Sequence, residues 1–236
     1  MHPIKKAARI AGALYLSTIP IAFYAWSYVP AKLIVRGNAA ATAENVMSHE
    51  SLFRFAILLE LAGFVIFIFV GIALYRLLRD VDRTWALVML SLALVQAGIG
   101  FVNALNDIAA VILFRGADFL SVIDKPQRDA LAMFFHRLHG QGFVINEVFW
   151  GLWLFPFGWL VFRSVFLPRF LGVWLMLNCF GWLAVCVAGL FFPPYSDVAF
   201  RYAQPVLFGE MAAMLWLVIK GAKVQALSPE PVVAAR

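Results

Sequence analysis

The chain has 236 residues, of which 64% are hydrophobic and only 14% are charged. A soluble domain is about half apolar and about a quarter charged, so this composition excludes an ordinary soluble globular protein. The formal net charge of +6 does not indicate a nucleic-acid partner, because the Lys and Arg residues stand at the ends of apolar segments rather than in a long basic tract.

Six apolar segments reach the length of about 20 residues that a helix needs to cross the hydrocarbon core of a bilayer. The sequence therefore predicts an all-α, polytopic transmembrane helix bundle of about six spans. We expect one transmembrane domain over residues 1–223 and a disordered tail over residues 224–236. The predicted spans are about Ala8–Val29, Leu52–Leu78, Thr84–Phe114, Phe143–Phe162, Phe170–Phe191 and Tyr202–Gly221.

The distribution of basic residues predicts how the bundle is oriented. Eleven of the 19 Lys and Arg residues belong to the N-terminus, the turns 76–83 and 163–169, and the C-terminus. Basic residues are retained on the cytoplasmic side, so both termini are predicted to be cytoplasmic. The expected location is the inner (plasma) membrane, with the lipid bilayer as the surrounding partner.

The longer connections on the opposite side carry local helix signals. Asn38 is a suitable N-cap for a short surface helix after the first span. Residues 127–139 mix charged and aromatic side chains; this segment is expected either to lie at the membrane interface or to form the first turns of one long helix. Pro156 lies inside the fourth predicted span and is expected to kink it.

Each of four spans contains one acid: Glu60, Asp107, Glu147 and Glu210. An ionisable side chain at bilayer depth is costly, so it usually faces the bundle interior and often marks a functional site. At about 1.5 Å of rise per residue, the predicted span ends place all four acids in the outer half of the bilayer. Glu147 is expected roughly one turn below the outer end of its span.

Polar residues at helical spacing accompany these acids. Gln96, Asn103, Asn106 and Asp107 form one stripe on the third span. His136, His139, Asn146 and Glu147 form a second stripe if the helix continues through the glycines at 140 and 142. The two stripes are expected to face each other across an outward-opening cavity. The alternative is a polar network that only fixes helix packing.

The chain resembles a family of bacterial integral membrane proteins catalogued as domain of unknown function 4386, over roughly residues 6–223. The resemblance implies a multi-span protein of the bacterial inner membrane and supplies no activity or cofactor. It places His139 and Glu210 within family-like motifs. The motifs are Arg9–Leu16, Lys32–Val35, Ala39–Ala43, Leu52–Arg54, Leu94–Ala97, Leu138–Gly140, Gly142–Phe143, Arg163–Ser164, Pro168–Arg169, Leu171–Gly172, Gly209–Glu210 and Leu215–Leu217.

Three functional hypotheses follow, with no cofactor or oligomeric state indicated. The leading one is a polar pocket for a small molecule, lipid headgroup or ion, in a small transporter or sensor rather than an enzyme. Its candidate ligand-binding residues are Glu60, Asn103, Asp107, His139, Glu147 and Glu210. The second is a membrane-embedded metalloenzyme with His136 and His139 as candidate metal ligands, and the third is a structural or assembly subunit.

Overall fold

A computed structural model describes residues 2–223 of the chain. The structure is 87% helical, and it contains no β-strand within those residues. The predicted tail at 224–236 lies outside the described part. The α-helices are α1 (Pro3–Phe23), α2 (Val29–Leu33), α3 (Ala39–Ser48), α4 (Glu50–Leu78), α5 (Arg83–Arg115), α6 (Lys125–Leu152), α7 (Leu154–Arg163), α8 (Arg169–Phe191) and α9 (Ser196–Ile219).

The predicted all-α bundle with six spans is confirmed. Six helical stretches are long and apolar enough to cross a membrane, so the protein is a multi-pass membrane protein. Two stretches join neighbouring helices, α1 with α2 and α6 with α7. The orientation of the two ends relative to the membrane stays a prediction from the charge distribution.

The spans form a closed ring in chain order. The long helices α4, α5 and α6 pack successively, α7 packs on α8, and α8 packs on α9. The ring closes because α9 also packs against α1, which in turn packs against α4. Gly12 permits this closure, since a Cβ at that position would lie 2.6 Å from Cβ of Leu217 on α9.

The first span contains a wide turn. Residues Tyr24–Tyr28 between α1 and α2 form a π-helix, in which the N–H of Val29 donates to the carbonyl of Tyr24, five residues earlier. Pro30 explains the irregularity, because proline has no N–H and its ring would clash with the carbonyl four residues earlier, that of Trp26. The chain accommodates this proline by widening the turn rather than by ending the helix.

The fourth span differs from the prediction at its start. Helix α6 begins at Lys125, where the Asp124 side chain accepts a hydrogen bond from the backbone N–H of Gln127. The predicted start at Phe143 is therefore wrong, and the alternative of one long helix is correct. The same helix is interrupted at Trp153, three residues before Pro156, which lies in the first turn of α7.

The predicted N-cap of the surface helix is confirmed. The Asn38 side chain accepts a hydrogen bond from the N–H of Ala41 at the start of α3. Helix α3 then covers the bundle by packing on α6 and α5.

The apolar core is divided into two clusters. One contains Leu74, Ala93 and Trp153, and the other contains Ile57, Ala110 and Met133. Along α4 and α5, the buried polar residues occur between the positions that belong to the two clusters. On α6, His139 and Asn146 also lie between Met133 of one cluster and Trp153 of the other, whereas the buried Asp129 lies before both. The polar site is therefore a layer between two apolar regions of the same bundle.

Candidate functional site

The polar stripes of α5 and α6 meet in direct contact. The Asn103 side chain donates to the backbone carbonyl of His139 over 2.9 Å, and the Asn146 side chain donates to the carbonyl of Gln96 over 3.1 Å. Gly142 permits this proximity, because a Cβ there would overlap the Asn103 amide. The prediction that the stripes face each other is right, but the expected cavity between them is wrong.

Two histidines and two acids form a continuous chain of contacts at this interface. His136 Nδ1 lies 2.8 Å from Asp107 Oδ1, and the other oxygen of Asp107 lies 3.4 Å from His139 Nδ1. His139 Nε2 lies 3.1 Å from Glu60 Oε1 on α4. The imidazole of His139 therefore bridges two carboxylates with its two ring nitrogens.

The fourth predicted acid, Glu210, lies in a different set of contacts. The hydroxyl of Tyr15 on α1 donates a hydrogen bond to Glu210 Oε1 on α9. The Trp182 indole on α8 lies near this carboxyl group, but its N–H has no hydrogen-bond partner within the described residues. Glu210 thus connects α9 with α1 on the side of the ring away from α5.

A cavity of about 180 Å³ lies between these two groups of residues. Glu60 and Glu210 both line it, from α4 and α9, together with Tyr15 and Gln96. Most of the remaining wall is aromatic or aliphatic, and no Lys or Arg of the described residues contributes to it. The aromatic residues of the wall are Trp26, Phe64, Phe67, Trp150, Trp153 and Trp182.

Three hydrogen-bond donors of the cavity wall have no partner within the described residues. They are the side-chain amide nitrogen of Gln96 and the indole nitrogens of Trp26 and Trp182. Gln96 is only 3% exposed. A buried donor without a partner is costly, so each one provides a place where a ligand or water oxygen would be stabilised.

Glu147 lies away from both groups. Because α6 begins at Lys125, the expectation that Glu147 lies one turn below the end of its helix is wrong. The neighbouring Asn146 contacts Gln96, which lies about three turns along α5 from Asp107 by the 3.6-residue repeat. Hence Glu147 does not share the depth of Asp107, and its buried Oε2 has no hydrogen-bond partner in residues 2–223.

The predicted site residues therefore divide into three groups. Glu60 and Asp107 both contact His139, and Asn103 holds the backbone of α6 beside them. Glu210 is separate but shares the cavity with Glu60. Glu147 contributes to neither the cavity wall nor the chain of contacts described above.

Comparison with known proteins agrees with this architecture. The family described as Domain of unknown function (DUF4386) matches residues 10–221. The chain belongs to the DUF4386 family. A relative named "Uncharacterized protein" from Archaeoglobus fulgidus is 27% identical over 162 residues, which cover 69% of this chain and 81% of the relative. No solved structure matches the chain.

Several residues of this DUF4386 site were not singled out from the sequence. Tyr15 occurs in the family-like motif of the first span, but nothing in its spacing predicts contact with a residue 195 positions away. Trp150 lies four residues after Asn146 and three after Glu147, and Trp153 lies about one helical turn further on. At this spacing both tryptophans are neighbours of the polar stripe along the chain. This spacing could have predicted aromatic residues beside the polar site, although Trp at the end of a span usually indicates an anchor at the membrane interface.

The candidate metal ligands of this DUF4386 member each contact a carboxylate. His136 and His139 bind Asp107 and Glu60 through ring nitrogens. Within residues 2–223, no group of three or more His, Cys, Asp or Glu side chains is arranged to hold a metal ion. The chemistry that this geometry supports is hydrogen bonding and proton exchange between imidazole and carboxylate groups.

Proposed function

We propose that this protein binds a small organic cation in the cavity between α1, α4, α8 and α9, as a small transporter or sensor of the membrane. The observation that carries the proposal is the composition of the cavity wall. Two carboxyl groups, Glu60 and Glu210, approach from different helices, and half of the other lining residues are aromatic.

This combination of groups suits an ammonium or quaternary ammonium compound. A cation over the face of an indole ring gains about 2 kcal/mol or more where water is excluded. The cavity has four tryptophans within its wall and no basic residue from the described part of the chain. An anion would meet two acidic groups without a compensating cation, so the same wall disfavours anionic ligands.

The unpartnered donors of the wall refine the proposal. The amide nitrogen of Gln96 and the indole nitrogen of Trp26 would each be satisfied by an oxygen. We therefore expect the preferred cation to carry a hydroxyl, ether or carbonyl group besides its charged nitrogen. The apolar remainder of the ligand would contact Phe64 and Phe67.

Calorimetric titration of the purified protein in detergent tests the proposal. The probe is benzyltrimethylammonium, and the comparison compound is neopentylbenzene, its neutral carbon isostere. We expect the cation to bind more tightly than the isostere. Glu60→Gln and Glu210→Gln should each weaken cation binding about tenfold, equivalent to about 1.4 kcal/mol, because each removes one carboxylate from the wall.

Glu147→Gln is the matched control, since Glu147 is an acid within a span that does not line this cavity. It should bind the cation as the parent does. Equal affinity for the two compounds, or equal cation binding by all the variants, would contradict the proposal.

The assembly-subunit hypothesis has an observation in its favour as well. Asn103 and Asn146 both use their side chains to join α5 to α6, as polar residues do when they fix helix packing in membranes. If all the acids act in this way, Glu60→Gln and Glu210→Gln would lower the stability of the bundle and leave cation binding equal to that of Glu147→Gln.

The location of the protein is part of the proposal. The basic residues of the short turns support cytoplasmic termini in an inner (plasma) membrane. In that orientation, the contact chain from His136 to Glu60 begins on the side of the membrane opposite to the cytoplasm.

A further inference from the structure

We propose that His136, Asp107 and His139 form a proton path that connects the long-connection end of the bundle with Glu60 in the cavity. The long-connection end is the end that carries α3 and residues 116–124. The inference rests on the proposed function only for the role of Glu60 as a wall residue of the binding cavity.

The geometry of the imidazole rings carries the inference. A histidine relays a proton when one ring nitrogen accepts while the other donates, so the two nitrogens must contact different groups. His139 places its two ring nitrogens toward different carboxyl groups: Nε2 is hydrogen-bonded to Glu60 at 3.1 Å, and Nδ1 lies 3.4 Å from Asp107, a contact that has to shorten for proton transfer. Asp107 likewise uses separate oxygens for His136 and His139.

The exposure of the side chains gives the path a direction. His136 is 17% exposed, Asp107 is 9%, His139 is 7% and Glu60 is 3%. His136 is therefore the member with access to the outside of the bundle, and Glu60 is the most deeply buried. The contacts lead from one to the other across α6, α5 and α4 without a break longer than 3.4 Å.

The transfer balances with a single proton. Water protonates Nε2 of His136, which releases the proton on Nδ1 to the carboxylate of Asp107. The protonated carboxyl group of Asp107 rotates and passes this proton to Nδ1 of His139, and Nε2 of His139 gives its own proton to the carboxylate of Glu60. One proton has entered and one has reached the cavity, Asp107 is again a carboxylate, and rotation or tautomer exchange of the two rings restores the starting state.

The surrounding charges leave this chain undisturbed. Near the same end, Glu50 of α4 pairs with Arg54 and with Arg115 of α5, while Asp129 of α6 pairs with Lys125. The charged or titratable groups in ion-pair contact with the two histidines are Asp107 of α5 and Glu60 of α4. Phe53 and Phe143 are the aromatic neighbours of His136 and His139, with ring centroids 6.1 Å and 4.7 Å apart respectively.

The path would allow the cavity to exchange a bound cation for a proton. A neutral Glu60 holds a cation less strongly than a charged one, so proton arrival at Glu60 favours cation release. Cation entry would favour proton departure by the same route. Protons and organic cations would then compete for one carboxylate in the middle of the bundle.

A pH jump followed by time-resolved infrared absorption tests the path with protons alone as the probe. The carboxyl signal that disappears in Glu60→Gln identifies Glu60. We expect His136→Ala to slow the appearance of this signal about a hundredfold, the lower part of the range for a positioned proton-transfer group. Added imidazole should restore the rate by occupying the space of the missing ring, which a purely structural role of His136 would not allow.

His49→Ala is the control, since His49 lies at the cap of α3 and contacts Asn45 rather than the path. It should leave the rate unchanged. His136→Gln serves as a second variant if His136→Ala does not fold, because it retains a hydrogen-bonding side chain but cannot relay a proton.

Three results would overturn the inference: a Glu60 signal that does not respond to pH, an unchanged rate in the His136 variants, or slowing that imidazole does not reverse. Cation binding is measured separately, so failure of the path and failure of the binding proposal are distinguishable.

Discussion

Single hydrogen bonds in the bundle join helices that are far apart in sequence, and the pair Tyr15–Glu210 is the clearest case. The Tyr15 ring also packs against Phe67 and Trp153, and its side chain is almost fully buried. Tyr15→Phe keeps this ring packing and removes only the donor to Glu210. Hydrogen bonds between helices within membranes contribute about 0.6 kcal/mol on average and up to about 1.7 kcal/mol.

We expect Tyr15→Phe to lower the free energy of unfolding by about 1 kcal/mol. A double-mutant cycle with Glu210→Gln in mixed micelles should show a coupling of similar size, because the two variants remove the same bond. A cycle of Tyr15→Phe with Glu147→Gln is the control and should be additive. Additive behaviour of Tyr15→Phe with Glu210→Gln would mean that the contact contributes nothing to stability.

At the scale of helices, the position of α6 against α5 decides whether the histidines reach their acids. The backbone of α6 approaches Asn103 at Gly142, while Gly140 on the same helix has nothing within 4 Å of a Cβ built on it. Alanine substitution at these two positions therefore distinguishes the effect of close helix packing from the intrinsic helix propensity of alanine.

Gly142→Ala is expected to destabilise the bundle by about 1–3 kcal/mol, because the added methyl group forces Asn103 or the helix to move. Gly140→Ala should be neutral or stabilise it by up to about 1 kcal/mol, since alanine is the better helix former. Unfolding by titration with sodium dodecyl sulfate measures both. Equal effects of the two substitutions would contradict the assignment of Gly142 as the contact position.

For the whole molecule, an even number of spans places the two ends of the described chain on one side of the membrane. The basic residues predict that this side is cytoplasmic. Two exposed positions lie at opposite ends of the bundle and can therefore report its orientation in the membrane. Val122 lies in the connection before α6, and the side chain of Asp80 lies in the turn between α4 and α5.

In intact cells, a membrane-impermeant maleimide should label Val122→Cys and should not label Asp80→Cys until the membrane is opened. The native Cys179 and Cys186 are both buried, so they provide little background. The reverse labelling pattern would show that the charge-based orientation is inverted.

The sequence predicts the fold well because the length of each apolar segment can be read from neighbouring residues alone. Five of the six predicted spans begin within six residues of an observed α-helix start, whereas the span predicted from Phe143 begins at Lys125. That start was obscured because residues 125–142 carry charged side chains and two glycines, which are typical of a connection. The segment is nevertheless helical, and α6 packs against the surface helix α3 as well as against neighbouring spans.

The site is predictable only in part. The presence of buried acids, and their association with His139, follows from residue type and helical spacing. Which acids meet depends on how far each helix slides along its neighbour, and spacing within one helix does not contain that information. Glu60 and Glu210 come to line one cavity because α9 closes the ring onto α1, a contact between residues about two hundred positions apart.

The wide turn at Tyr24–Tyr28 bears on the shape of the cavity. It contains Ala25 and Trp26, both part of the cavity wall. A π turn holds one residue more than an α turn, so the side chains that follow it point about 100° away from the directions a regular α-helix would give them. Because Pro30 favours the wide turn at this position, a proline outside the cavity wall helps to set the direction from which the first span presents Trp26 to the cavity.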